Sequence, residues 1–324
     1  MKLLDTRRAI LASLLFGPAL AARAQGSWPE RSITLVVPFG PGGIADLTAR
    51  TVAQTMSAAL KVPIVIDNKP SAGSIVGSAA VAQAAPDGHT LLLMSNANAV
   101  SASLFRKLPF DVQKDFAPVS LLGVFDLALF VATESKLKSV RELLAEAKSR
   151  PGKLTIGTIA VGSTQNLSAE LFKARTGIDA LIVPYKGTPA VLTALRAGEI
   201  DAAFEILGPM LPQLQAKAVR ALAVTSDRRF AALPEVPTMR EAGVADYEVA
   251  SWNALAAPAR TPAAVIERLN TAANEALKNP AVQERLLALG VRAQGGTPQQ
   301  LQALLASEVR HWGEVIRAAK IEPE

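Results

Sequence analysis

The sequence predicts an α/β protein in which two lobes of parallel sheet are joined by long strands. Three observations carry that prediction. Short apolar, β-branched runs alternate with stretches of helical periodicity along the chain, which implies right-handed crossovers and parallel pairing. Several of the runs end in a glycine-containing loop that opens a helix. A long apolar run from Leu121 to Val131 separates two such series and is suited to carry the chain from one domain to the other. The 324 residues, 50% hydrophobic and only 19% charged, are enough for two well-packed domains.

The first series begins at Ser32–Asp46, SITLVVPFGPGGIAD. Ile33 to Val37 reads as a buried strand. Pro38 to Gly43 interrupts regular structure, and helical spacing starts at once with Ile44, Leu47, Ala49, Val52 and Met56. Unpaired N–H groups and the positive end of the helix dipole converge at such a helix start, an arrangement suited to an anion. The competing reading is a tight strand-to-helix turn that binds nothing. Ile64 to Asp67 is a second strand, and Lys69-Pro70-Ser71-Ala72-Gly73 opens a helix through Ala84. Pro86-Asp87-Gly88 is a turn, and Thr90 to Met94 is a third strand ending in Ser95-Asn96-Ala97-Asn98.

The second series opens with a helix from Ser139 to Lys148, with Ser139 as N-cap and Glu142 completing a capping box. Leu154 to Thr158 is a strand, Ala160-Val161-Gly162-Ser163-Thr164 a loop, and Gln165 to Arg175 a helix. Leu181 to Pro184 is a strand, and the next helix starts at Gly187-Thr188-Pro189 and ends at Gly198. Ile200 to Phe204 and Val219 to Val224 are further strands. A proline-rich connection occupies Leu233 to Val244, and Tyr247 to Ala257 is a return strand. Thr261-Pro262 and Thr297-Pro298 each place an N-cap before a proline at the start of a helix. In the last helix Leu301, Leu304, Leu305, Trp312, Val315 and Ile316 share one face, which is core packing.

The N-terminus is expected to be an export signal. Lys2, Arg7 and Arg8 precede an apolar run from Ala9 to Ala22, and Ala22-Arg23-Ala24 fits a small-x-small site for cleavage after Ala24. Thr6-Arg7-Arg8 also resembles a twin-arginine signal. Removing residues 1–24 takes away four basic residues and one acid, so the net charge falls from +6 to +3. No run of Lys and Arg interleaved with aromatics remains, so nucleic-acid binding is not expected. The chain has no cysteine, which excludes disulfides, thiolate metal sites and a lipidated N-terminal cysteine. An unanchored, monomeric periplasmic protein is expected.

These loops, taken together, carry a resemblance. The chain resembles the periplasmic solute-binding proteins of tripartite tricarboxylate transporters, the Bug receptors. The marks are PFGPGG with Asp46, DNKPSAG at Asp67–Gly73, PDGHTLLL at Pro86–Leu93 and LPFDVQKDFAPVS at Leu108–Ser120. VPYKG at Val183–Gly187, the stretch Val219–Ser226, LPEVPT at Leu233–Thr238, Ser251-Trp252 and GGTP at Gly295–Pro298 complete the set. The resemblance implies a two-lobed periplasmic binding protein fold, type II-like, with the ligand cleft between two Rossmann-like lobes. Lobe 1 would be residues 27–125 plus 252–324, and lobe 2 residues 126–251. It also implies a small carboxylate ligand, delivery to membrane transporter subunits, no cofactor and no catalysis. An orphan receptor that signals is the variant within this class.

By resemblance the ligand-binding residues would be Phe39, Gly40, Gly42, Gly43, Asp46, Ser95, Asn96, Ala160, Gly162, Ser163 and Glu205. Some positions depart from the family's pattern. Ile44 and Ala45 stand where relatives often have glycine and a hydroxyl residue, Ile159 and Val161 replace residues that are commonly polar, and Glu205-Ile206 replaces a frequent Asp-Asn pair. The pocket is therefore expected to be more apolar than usual. Glu205 is expected either to face the cleft, where it would repel a second ligand carboxylate, or to be solvated at a strand end.

One rival comes from the opening stretch. Gly40-x-Gly42-x-x-Ala45 follows a strand and starts a helix, and Asp67 ends the next strand, a spacing that matches the dinucleotide fingerprint of an exported oxidoreductase. Pro41 stiffens that turn, however, and Tyr185-Lys186 are adjacent rather than helically spaced. Hydrolase chemistry has less support. There are two histidines, His89 beside a turn and His311 on an amphipathic helix, and no Gly-x-Ser-x-Gly elbow. Ser135-x-x-Lys138 lies in what reads as an exposed linker. Glycine loops without an acid/base partner favour binding over catalysis.

Overall fold

The structure, a computed structural model, describes residues 28–323. The expected export signal and its cleavage site lie outside the described residues. Among the described residues no helix is long and apolar enough to cross a membrane.

The first series forms β1 (Ile33–Val37), α1 (Ile44–Leu60), β2 (Ile64–Asn68), α2 (Ile75–Ala82), β3 (Thr90–Ser95) and α3 (Asn96–Leu104). β1 pairs in parallel with β2 on one side and β3 on the other. β4 (Phe116–Ala132) then runs for 17 residues. The second series follows as α4 (Val140–Ser149), β5 (Leu154–Ile159), α5 (Thr164–Thr176), β6 (Ala180–Tyr185), α6 (Thr188–Ala197), β7 (Ala202–Ile206), α7 (Leu207–Gln215) and β8 (Val219–Val224). β5 pairs in parallel with β6 and β7. The chain returns through β9 (Ala250–Pro258) and closes with α8 (Ala263–Lys278), α9 (Pro280–Ala288), β10 (Val291–Ala293) and α10 (Pro298–Ala318).

β4 belongs to two sheets. Its first part, Phe116 to Asp126, pairs antiparallel with β9, which also pairs with β3. Its last part, Leu127 to Ala132, pairs antiparallel with β7 and β8. Two α/β lobes are thereby hung on one continuous strand. Opposite residues of an antiparallel pair share a face and successive residues alternate. Phe125 opposite Ser251 therefore points one way, and Val124 opposite Trp252 points the other. Arg292 on β10 forms an ion pair with the buried Asp126, 2.9 Å apart, beside this crossing.

Hydrophobic burial follows the alternation. Leu35, Val37, Val52, Met56, Leu93 and Leu269 pack α1 and α8 against one face of the first sheet. Phe130, Leu195, Val224 and Phe230 fill one side of the second. Trp252, Tyr247 and Trp312 join the cores of both lobes into one cluster. Leu301, Leu305, Trp312, Val315 and Ile316 of α10 are all buried in it.

Two helix starts differ from expectation and one matches it. Ser139 caps α4 by accepting from the Glu142 amide, but the Glu142 carboxylate reaches the Lys138 amide instead of returning to Ser139. Thr297 and Gln300 form a complete capping box on α10. Thr261 does not cap α8; its hydroxyl donates to the Pro258 carbonyl.

Candidate functional site

In an open parallel sheet, ligands bind where the carboxyl ends of the strands and the following helix N-termini face a crevice. Here β1, β3, β5 and β7 all end at one crevice between the lobes. The crevice holds a cavity of about 280 Å³, lined by Phe39, Gly43, Ile44, Ala45, Ser95, Ala97 and Phe125 on one side, by Ile159, Ser163, Thr164, Gln165 and Ile206 on the other, and by Ser251 and Asn253 from β9. Larger hollows lie away from these strand ends: about 750 Å³ outside β8, about 600 Å³ on the face of β4 and β9 turned away from the cavity, and about 380 Å³ between α1 and α8. At about 30 Å³ per water, the interlobe cavity has the space of roughly nine water molecules. None of its lining residues is charged.

The first wall is the loop from Pro38 to Gly43. Gly42 has φ +81°, a conformation that favours glycine. Gly43 is extended at the N-cap of α1, with φ −77° and ψ 169°. Asp46 holds this loop from behind. Its carboxylate accepts from the Gly42 amide at 2.9 Å, from Arg50 Nε at 3.0 Å and from Asn68 Nδ2 at 3.0 Å. Burial pushes the Asp46 carboxyl up, but these hydrogen bonds outweigh it and hold the group below the usual aspartate range. Asp46 thus fastens the anion loop without lining the cavity. The first intrahelical bond of α1 runs from Leu47 N to Gly43 O. The amides of Ile44 and Ala45 thereby remain at the cavity wall, next to the positive end of the dipole.

The opposite wall is the start of α5. Ser163 caps it, accepting from the Asn166 amide at 3.1 Å, and Asn166 Oδ1 in turn accepts from the Gly162 amide. Gly162, at φ +75°, packs against Leu104 of α3, so a methyl group there would collide with the other lobe. Asn96 also spans the crevice: its Nδ2 donates to Thr164 Oγ1 at 2.9 Å while its Oδ1 accepts from Trp312 Nε1 at 2.7 Å. The lobes meet again where Gly208 of α7 abuts Gly290 before β10.

The sequence-derived candidates therefore separate. Phe39, Gly43, Ser95 and Ser163 line the cavity. Gly40, Gly42, Asp46, Asn96, Ala160 and Gly162 do not: Gly42 and Asp46 shape the first loop, Asn96 and Gly162 join the lobes, and Gly40 and Ala160 are exposed. Glu205 is neither solvated nor in the wall. It is fully buried behind Gln165, where its Oε2 accepts from Gln165 Nε2 at 3.3 Å and Thr188 Oγ1 at 2.9 Å. Burial pushes its carboxyl up, and the bonds from Thr188, Gln165 and the Ile206 amide only partly offset this.

Sequence reading missed Gln165 and Asn253. Asn253 is 1% exposed, lines the cavity, and has neither its Nδ2 nor its Oδ1 in a hydrogen bond. A buried carboxamide in that state costs free energy until a ligand or water pairs with it. The only signal was its place two residues after Ser251 on the returning strand, which puts both on one face.

A family model described as the tripartite tricarboxylate transporter family receptor matches residues 48–321. The chain belongs to this family. This receptor is 38% identical to the protein BugT of Bordetella pertussis over 293 residues, 90% of each chain. It is also 38% identical over 314 residues to a protein encoded in the tcbD-tcbE intergenic region of Pseudomonas sp. (strain P51), covering 96% of this chain and 94% of the relative. Among solved structures, Rpa4515 of R. palustris with adipate superposes with a TM-score of 0.81 at 35% identity, covering 92% of this chain and all of that one. MatC from Rhodopseudomonas palustris with bound malate gives 0.77 at 33%, covering 89% and 99%. The chain is a two-lobed solute-binding receptor of periplasmic type and not an enzyme. The dinucleotide reading finds no support. Asp67, its expected ribose ligand, is paired with Lys69 at 3.0 Å on the surface.

Proposed function

We propose that this receptor captures one small carboxylate between its lobes and presents it to the membrane subunits of a tripartite tricarboxylate-type transporter. The observation that carries the reading is the meeting of the α1 and α5 N-termini at a small cavity whose lining residues are uncharged. An anion there gains hydrogen bonds from free amides and the field of two helix dipoles without having to displace an internal acid. The carboxylates bound by Rpa4515 and MatC support the class of ligand. Phe39, Gly43, Ser95, Ser163, Gln165 and Asn253 form the contacting set, and Gly40, Gly42, Asp46, Asn96, Ala160 and Gly162 shape or border it.

The moving bodies in this reading are residues 27–125 with 252–324, and residues 126–251, with bending at β4 and β9. Asn96–Thr164 and Gly208–Gly290 are contacts of the closed form. The mature protein is a periplasmic monomer cut after Ala24. Native mass spectrometry of freshly purified mature protein tests this reading. A retained small carboxylic acid is expected, with its loss on replacing Gly43 by valine. A retained sugar or metal ion would overturn it.

A further inference from the structure

We propose that Glu205 selects the ligand indirectly, by turning the carboxamide of Gln165 so that its carbonyl oxygen, not its NH2, faces the cavity. The receptor then prefers a carboxylate whose far end is apolar or carries a hydrogen-bond donor over a dicarboxylate. This rests on the carboxylate reading above and goes further, to the part of the ligand that the helix N-termini do not hold.

A glutamine side chain has a donor end and an acceptor end, and a fixed partner at one end decides what the other offers. Gln165 is 3% exposed and lines the cavity, and its Nε2 donates to Glu205 Oε2 at 3.3 Å. Its Oε1 accepts no hydrogen bond from any described residue. The orientation does not depend on whether Glu205 is charged. Oε2 already accepts from Thr188 Oγ1, whereas Oε1 of Glu205 is buried with no partner, so Oε1 is the oxygen that would take a proton. Oε2 remains an acceptor in both states, and the Gln165 NH2 stays turned towards it.

The cavity's other polar side chains on the far side, Ser95, Ser251 and Asn253, belong to β3 and β9, and the wall around Gln165 is largely hydrocarbon. Ile159 and Ile206 flank Gln165 on the same wall, and Phe125 faces them from β4. A second ligand carboxylate brought against this wall would meet an oxygen lone pair and apolar surface, and would lose its water without compensation. An ammonium, hydroxyl or amide N–H would instead find an acceptor, and a methyl end would find hydrocarbon. The free amides of α1 and α5, and Asn253, are left for the first carboxylate.

Three acids of equal chain length test the inference: pentanoate, 5-aminopentanoate and glutarate, titrated calorimetrically into the mature wild type, Glu205→Met and Gln165→Met. The wild type is expected to bind glutarate about tenfold or more weakly than the better of the other two. Glu205→Met removes the oxygen that Gln165 Nε2 and Thr188 Oγ1 donate to, so it frees the Gln165 amide to rotate and should recover glutarate binding by about tenfold while leaving pentanoate unchanged. Gln165→Met should weaken 5-aminopentanoate alone, which supplies the test if the Glu205 variant fails to fold. Wild-type preference for glutarate, or the same order of the three acids in the wild type and the folded variants, would overturn the inference while leaving the carboxylate reading standing. Failure of the wild type to bind any of the three would overturn the carboxylate reading, and this inference with it.

Discussion

Replacing Gly208 by alanine should weaken ligand binding without touching the ligand. Gly208 lies in the first turn of α7 and abuts Leu289 and Gly290 from the other side of the crevice. A methyl group at Gly208 would overlap the Leu289 carbonyl oxygen and lie 3.0 Å from its carbon. The oxygen is the limiting atom, and because carbon and oxygen pack at about 3.3–3.6 Å the two backbones must part by more than about 1 Å. No flexible side chain can absorb the change, because the opposing atoms are main chain. Alanine itself is favourable in a helix, by about 0.5–1 kcal/mol over glycine, so the helix does not suffer. Overpacking of this kind costs about 1–3 kcal/mol. If the lobes separate at this contact when open, the whole cost falls on the closed form, and affinity drops about 5–150-fold. The assay is calorimetric titration of wild type and variant with the same acid, beside a melt of each without ligand. Reduced affinity with an undiminished ligand-free midpoint is the expected pair of results. Unchanged affinity with a lowered ligand-free midpoint would show that the contact persists in both states and would refute the reasoning.

Three further outcomes follow from single residues. Gly43→Val should fold normally, since its φ and ψ suit any residue and the nearest atom to an added Cβ is Gly40 O at 3.7 Å, yet it should abolish binding measured by calorimetry because the side chain enters the cavity. Ser163→Ala removes the cap of α5 and should lower stability by about 0.5–2 kcal/mol in urea denaturation; although Ser163 borders the ligand, its effect on affinity should be smaller than that of a free hydroxyl, because its oxygen accepts from Asn166 and its O–H donates to Ile159 O. For Glu205 the folded-state pKa is raised above the unfolded value, so the folded wild type takes up a proton more readily and gains stability as pH falls from that raised value towards the ordinary glutamate range. Glu205→Gln lacks this gain; its stability relative to wild type should shrink as pH falls across that window, and a difference that does not change with pH would contradict the assignment.

The lobes were legible because strand and helix periodicities differ and the glycine loops punctuate them. Ile33–Val37 and Val219–Val224 form strands where the apolar runs lie. α3 was not legible. Ser95-Asn96-Ala97-Asn98 is made of residues that favour local hydrogen bonds over helices, and the same residues here build a capping box that starts one. α7 was hidden for a related reason, because Gly208, Pro209 and Pro212 argue against a helix when read singly. At the site, the first loop and the start of α5 could be found as helix N-termini. The roles of Asp46, Asn96 and Glu205 could not, because a polar residue near a loop reads alike whether it meets a ligand, fastens the loop or orients a neighbour. Asp46 turns inward to Gly42, Arg50 and Asn68, and Glu205 to Gln165 and Thr188. Asn68, Gln165 and Thr188 are distant in sequence from the carboxylates they meet, and only the fold brings them together.

The central claim is that this cavity holds an anion by helix N-termini and main-chain amides. The most direct measurement compares an acid with its own carboxamide at neutral pH, by melting the mature protein with each in excess. At about 100 times its dissociation constant the acid should stabilise the folded state by roughly 2.7 kcal/mol, and the carboxamide, identical in shape but uncharged, should leave the midpoint where it was. Equal stabilisation by acid and carboxamide would contradict the account, because it would mean that shape and apolar contact hold the ligand and that its charge does not.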